Sequence, residues 1–166
     1  MRLVGALLIC GACVALGARA SLNLSRRPAA LLEFVKCVDF ICGKISLEKT
    51  ELVWIFAEAE KMQLNHFDGF FKSCNGKCKA LGAQKAWRDS AKYLPSYLSA
   101  CDSEMILAFG SQLGRGDFES QLKLCRQTRE QCDKLICGAQ EKKEKLSSLY
   151  ISLGALGGTA LAILLM

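Results

Sequence analysis

Residues 118–150 read FESQLKLCRQTREQCDKLICGAQEKKEKLSSLY, and their spacing decides the fold. Phe118, Leu122, Cys125, Cys132, Ile136, Ala139, Leu146 and Tyr150 recur at steps of three and four, with Arg129 and Lys143 in the same stripe. That period marks one face of an α-helix. Asp117 stands where it can cap the first turn, and no proline interrupts the run. Gly138 is its one weak point, so a single helix is predicted from Phe118 into the uncharged end of the chain.

Upstream the same period returns five times. Leu31, Phe34, Val38, Ile41 and Ile45 form one face, with Pro28 suited to the first turn. Leu52, Ile55, Phe56, Ala59 and Met62 form a second, with Thr50 as the expected cap. Phe67, Phe70 and Phe71 predict a short third helix ending before Asn75-Gly76. Ala83, Ala86 and Trp87 predict a fourth, stopped by Pro95, and Met105, Ile106, Phe109 and Leu113 a fifth. No strand-like alternation of useful length is present. The expected fold is all-α, an antiparallel bundle of about six helices, whose core faces the stripe of the last one.

The ends differ from the middle. Of 166 residues, 51% are hydrophobic and 23% charged, yet every charged residue except Arg2 lies between Arg19 and Lys145. Leu3–Ala18 carries no charge and as a helix measures about 24 Å; Leu149–Met166 also carries none and measures about 27 Å. Two transmembrane helices are therefore expected, over 1–24 and 148–166, flanking a bundle over 25–147. The first run has a second reading, a secretory signal cleaved after Ala18-Arg19-Ala20. Arg19, Arg26, Arg27, Lys142, Lys143 and Lys145 outweigh Arg2 across the two runs, which places the middle in the cytoplasm. An even number of helices between two anchors in one membrane is then the economical arrangement. Arg26, Arg27, Lys142, Lys143 and Lys145 would meet at the membrane-facing end and touch anionic headgroups. Gly154 and Gly158 bare one strip of the last run for close helix packing.

The net charge of +6 is modest and spread out, which argues against nucleic acid as a partner. Beyond Cys10 and Cys13 there are eight cysteines, at 37, 42, 74, 78, 101, 125, 132 and 137. In a cytoplasmic domain they are thiols; in an exported one their even number invites a disulfide framework. Cys125 and Cys132 share a helix face and read as small buried packing residues. Cys74-Asn75-Gly76-Lys77-Cys78 is the one spacing that an Asn-Gly turn could fold around a metal, but zinc needs two more ligands and no second knuckle follows. The single histidine, His66, has no nucleophile in a recognisable motif near it. The chain reads as non-enzymatic, with no cofactor and no small-molecule substrate.

The stretch Glu104-Met105-Ile106-Leu107-Ala108-Phe109-Gly110-Ser111-Gln112-Leu113-Gly114-Arg115-Gly116-Asp117, followed by Gln121, resembles the signature of the stage III sporulation protein AB family. Arg27-Pro28, Thr50-Glu51-Leu52 in place of Thr-Pro-Leu, Ala83-Gln84-Lys85-Ala86-Trp87 and the terminal Leu153-Gly154 through Leu164-Leu165-Met166 match in order and spacing over nearly the whole chain. It departs at Lys44, preceded by Cys42-Gly43, where an acidic residue is usual, and at Glu51.

The resemblance implies a membrane protein of the mother cell, part of the channel complex facing the engulfed forespore. Its helical domain would be similar to the inner-membrane platform component of type II secretion systems. Implied partners are the complex's cytosolic secretion-type ATPase and neighbouring membrane subunits, with the first apolar run kept as an anchor. On this reading the protein is an assembly platform, and the Gly114-Arg115-Gly116-Asp117 turn, away from the basic end, is the candidate partner-docking site. The alternative is an exported, disulfide-stapled domain held by its C-terminal helix after signal cleavage.

Overall fold

A computed structural model describes residues 25–48 and 51–165. The expected anchor over 1–24 and the expected cap Thr50 lie outside the described residues. Among those described, all regular structure is helical. Helix α1 covers residues 25–43 and tightens into a π-helical turn at Lys44–Glu48. It is followed by α2 (Leu52–Lys61), α3 (Asp68–Leu81), α4 (Ala83–Asp89), a 3₁₀ turn (Ala91–Tyr93), α5 (Ala100–Gln112) and α6 (Phe118–Leu165). The chain divides into two compact units, one of Ala29–Ile136 and one of Met1–Pro28 with Cys137–Met166. The six helices and the all-α class are those the apolar spacing predicts.

In the Ala29–Ile136 unit, α2 packs on α3, α3 on α4 and α4 on α5. Helix α1 buries Leu31, Phe34, Val38 and Ile41 of the expected stripe, with Ala30 beside them, whereas Ile45 is half-buried in the π-helical turn. At the centre stands Trp87. Its ring meets Phe70 at 4.8 Å between centroids, edge to face, with Phe56 at 5.6 Å, Phe71 at 5.8 Å and Phe109 at 5.9 Å. Each such pair adds about 0.5–1.5 kcal/mol beyond the area it buries. The indole Nε1–H, removed from water, donates to the Ile106 carbonyl at 2.9 Å, so its burial leaves no orphaned donor. Gly110 lets the ring come that close: a β-carbon there would lie 2.2 Å from Trp87 Cγ.

Two helix boundaries differ from the sequence reading, each for a tertiary reason. Helix α3 does not stop before Asn75-Gly76; it runs on to Leu81, because Phe70, Phe71, Cys74 and Cys78 keep one buried face and Asn75 Nδ2–H donates to Glu60. Packing there outweighs the roughly 1 kcal/mol that a glycine costs inside a helix. It ends at Gly82, whose φ of +81° closes the turn. Helix α4 stops at Ser90, well before Pro95, where the buried Ser90 hydroxyl bonds the Ala86 carbonyl at 2.8 Å and Ser73 Oγ at 2.9 Å. At the start of α2 the capping position is Glu51, with no side-chain cap.

The buried face of α6 keeps Cys125, Cys132, Ile136 and Ala139 of the expected stripe but departs from it elsewhere. Phe118 is 46% exposed and Arg129 is exposed, whereas Gln121, Leu124 and Thr128 are buried beside Cys125 and Cys132. Arg129 instead pairs with Asp39 of α1 at 2.7 Å. Continuity through Gly138 holds, since α6 extends to Leu165. Its expected membrane crossing over 148–166 is not supported: among the described residues no helix is long and apolar enough to cross a membrane.

Two polar locks were not read from the sequence. The Glu33 carboxylate on α1 accepts the backbone N–H groups of Asn65, His66 and Phe67 at 2.9, 2.7 and 3.1 Å, fixing the α2–α3 loop. Ser99 and Asp102 form a reciprocal capping box at the start of α5.

Replacing Gly110 by Ala forces the Trp87 indole off its seat, so Gly110→Ala is expected to destabilise the full-length protein by about 3 kcal/mol. Urea unfolding followed by Trp87 fluorescence in a Trp54→Phe background measures this. Unchanged stability would show that the ring does not rest on Gly110.

Candidate functional site

The turn between α5 and α6 is built from its backbone outward. Helix α5 ends at Gln112, and buried Leu113 adopts an extended ψ of 132°. Gly114 then takes φ +70° and Gly116 φ +83°, conformations that side chains resist. Gly114 has a second reason to be bare, since a β-carbon on it would lie 2.8 Å from Leu52 Cδ1 of α2. The Arg115 N–H closes the turn on the Gln112 carbonyl at 3.2 Å.

Two glutamines hold this backbone from inside. Gln84 of α4 donates from Nε2 to the Leu113 carbonyl at 2.6 Å. Gln121 of α6 accepts the Gly114 N–H on Oε1 at 3.0 Å and donates from Nε2 to the carbonyls of Gln112, at 3.2 Å, and of Arg115. Gln121 is buried, which makes each of those bonds costly to leave unmade. Asp117 caps α6 as its position suggested, with Oδ1 accepting the Ser120 N–H at 3.1 Å. Hydrogen bonds from the Ser120 hydroxyl and amide hold the Asp117 carboxyl below the usual carboxylate range.

Gly114, Arg115, Gly116 and Asp117 are all exposed. The result is a surface turn of fixed shape, presenting one guanidinium, one carboxylate already engaged in capping, and bare glycine backbone. Nothing in it is a nucleophile or a general base. It is suited to recognition. Both glutamines stand in the stretches that carried the family resemblance, but their role is invisible there because it depends on Leu113 and Gly114 arriving from another helix.

The remaining candidates are distributed elsewhere. Arg26 and Arg27 lie in the first described turn of α1, and Lys142, Lys143 and Lys145 on α6; all five belong to the smaller unit. Arg26, Lys142 and Lys145 are exposed. Gly154 and Gly158 are one turn apart within α6. Lys44, the departure from the family pattern, pairs with Glu58 of α2 at 2.8 Å.

The cysteines need one correction. Cys125 is not a packing thiol, because it forms a disulfide with Cys42 at the end of α1, with Cα atoms 6.3 Å apart. Cys74 and Cys78 lie on consecutive turns of an unbroken α3, both buried, so the Asn-Gly turn that a metal reading required is absent. Among the described residues no group of three or more His, Cys, Asp or Glu is placed to hold a metal. Burial pushes the thiols of Cys37, Cys74 and Cys132 up to about 12 and raises Cys78 as well, which keeps them neutral and unreactive at pH 7. Cys101 and Cys137 are exposed free thiols.

Replacing Gln121 by Ala removes three hydrogen bonds to the turn, so Gln121→Ala is expected to cost about 2 kcal/mol. Amide exchange at Gly114 should quicken at least tenfold, read by hydrogen exchange and mass spectrometry. Unchanged exchange would mean that the turn keeps its shape without Gln121.

The family model for stage III sporulation protein AB matches residues 2–166. No curated protein and no solved structure matches the chain. With the match running from the second residue to the last, the chain belongs to the stage III sporulation protein AB family.

Proposed function

We propose that this protein is a non-enzymatic assembly platform of the sporulation channel between mother cell and forespore. Both ends anchor it in the mother-cell membrane around the forespore. The helical unit lies in the cytoplasm and docks the complex's secretion-type ATPase, while neighbouring membrane subunits pack against the anchors. The two uncharged runs, Leu3–Ala18 and Leu149–Met166, and the basic residues flanking them support the anchors and the orientation. Gly154 and Gly158 would let the last segment approach another membrane helix closely.

One observation carries the docking role: Gly114–Asp117 is exposed, yet half-buried Gln84 and buried Gln121 both hydrogen-bond its backbone and fix its shape. A surface loop without a partner gains little from such rigidity, whereas a preformed one lowers the ordering cost of binding. Arg115 is the one charge on it that is free of capping duty and suits an acidic pocket on the partner.

A second reading rests on the Cys42–Cys125 disulfide, since such bonds persist in oxidising compartments. On that reading the helical unit is exported and the last segment alone anchors it after signal cleavage. The excess of basic residues beside both apolar runs on their inner side favours the cytoplasmic reading.

The docking role is tested by Arg115→Glu, which reverses the exposed charge without touching Gln84, Gln121 or the glycines. Co-purification of the ATPase from sporulating cells is expected to fall at least tenfold while the protein accumulates normally. Undiminished recovery of the ATPase would contradict docking through this turn.

A further inference from the structure

We propose that Cys42 and Cys125 form a thiol-disulfide exchange site whose state sets how firmly the α5–α6 turn is held. The bond joins the last turn of α1 to α6, residue 125 lying two helical turns beyond the Asp117 cap. Between cap and bond, α6 is tied to the rest of the unit by the Gln121 contacts to the turn itself and by the burial of Leu124. Beyond it come the Asp39–Arg129 pair, which is solvent-exposed and so weak, and the soft contact of Cys132 Sγ with Met105 Sδ at 3.7 Å. The disulfide is the covalent link between α1 and the part of α6 that supports the turn. It also closes a loop over 83 residues, which contains α2 to α5 and the turn.

The site is placed for exchange. Cys42 is half-buried and is followed by Gly43 and the π-helical turn Lys44–Glu48, an irregular helix end at which a reductant can approach. Cys125 is nearly fully buried and acts as the leaving sulfur. A thiolate of a low-molecular-weight thiol or a dithiol oxidoreductase attacks Cys42 Sγ, forming a mixed disulfide and releasing Cys125 as a thiolate that takes a proton from water. A second thiol of the reductant resolves the mixed disulfide; two electrons and two protons enter the protein, and the reductant leaves as its own disulfide. Oxidation reverses these steps with a disulfide of the same class. The buried thiols at 37, 74, 78 and 132 stay neutral and out of reach, so the same pair re-forms. In a reducing cytoplasm the dithiol is the resting state, and the bond reports oxidation by stiffening the turn.

The effect on docking rests on the platform reading, whereas the effect on the turn does not and is measured on the full-length protein alone. Hydrogen exchange is compared in the oxidised protein, after reduction with dithiothreitol, and in Cys42→Ser. Amides of residues 114–124 should exchange at least tenfold faster in the latter two, and alkylation should count two additional thiols after reduction. Equal exchange of 114–124 in the oxidised and reduced wild type would overturn the proposal even if Cys42→Ser folds poorly. In sporulating cells treated with a thiol oxidant, alkylation should show the bonded fraction rising severalfold and falling again after washout; a pair that stays dithiol throughout would overturn it as well.

Discussion

The contact between the Trp87 indole and the bare backbone of Gly110 is the constraint from which the rest of the larger unit follows. A ring seated against a helix without an intervening β-carbon brings α4 and α5 together at a distance no other residue at 110 would permit. That seat carries Phe56, Phe70, Phe71 and Phe109 with it, so four helices share one aromatic centre. The indole N–H bond to Ile106 fixes the ring's rotation as well as its position. Core volume and hydrogen bonding thus specify the same arrangement, which is what makes a single packing preferred over its neighbours.

The α5–α6 turn is attached to that centre by short steps. Holding α5 places Leu113 in the core and leaves Gly114 against Leu52, so the chain has to reverse in a left-handed conformation at the surface. Gln84, three residues before Trp87 on α4, reaches the Leu113 carbonyl because α4 and α5 are already fixed. Gln121 completes the turn from α6. The exposed Arg115 therefore inherits its position from a buried tryptophan through a chain of named contacts.

Much of this was legible in the sequence, and the parts that were not share a cause. Helical class, helix number and the inner face of α1 follow from apolar spacing, which is local. Asp117 as a cap and the break at Gly114 are also local, and both stand as read. The path of α3 through Asn75-Gly76 depends on Glu60 and on what Cys78 packs against, so turn propensity misled there. The inner face of α6 was legible at Cys125, Cys132, Ile136 and Ala139, but Gln121 and Thr128 are buried although their polar side chains give no apolar signal. The pairing of Cys42 with Cys125 joins residues 83 apart, and no spacing rule could choose it among eight cysteines.

The proposed platform role requires the helical unit to lie on the cytoplasmic side, with its proposed ATPase partner. Cys101 and Cys137 are the exposed free thiols that report this, being reactive without unfolding. Intact sporulating cells are labelled with a membrane-impermeant maleimide and compared with permeabilised ones, with the modified residues identified by mass spectrometry. Labelling of Cys101 and Cys137 only after permeabilisation is the result expected of a cytoplasmic platform. Labelling of both in intact cells would contradict it and place the domain outside, where a disulfide-stapled exported unit belongs.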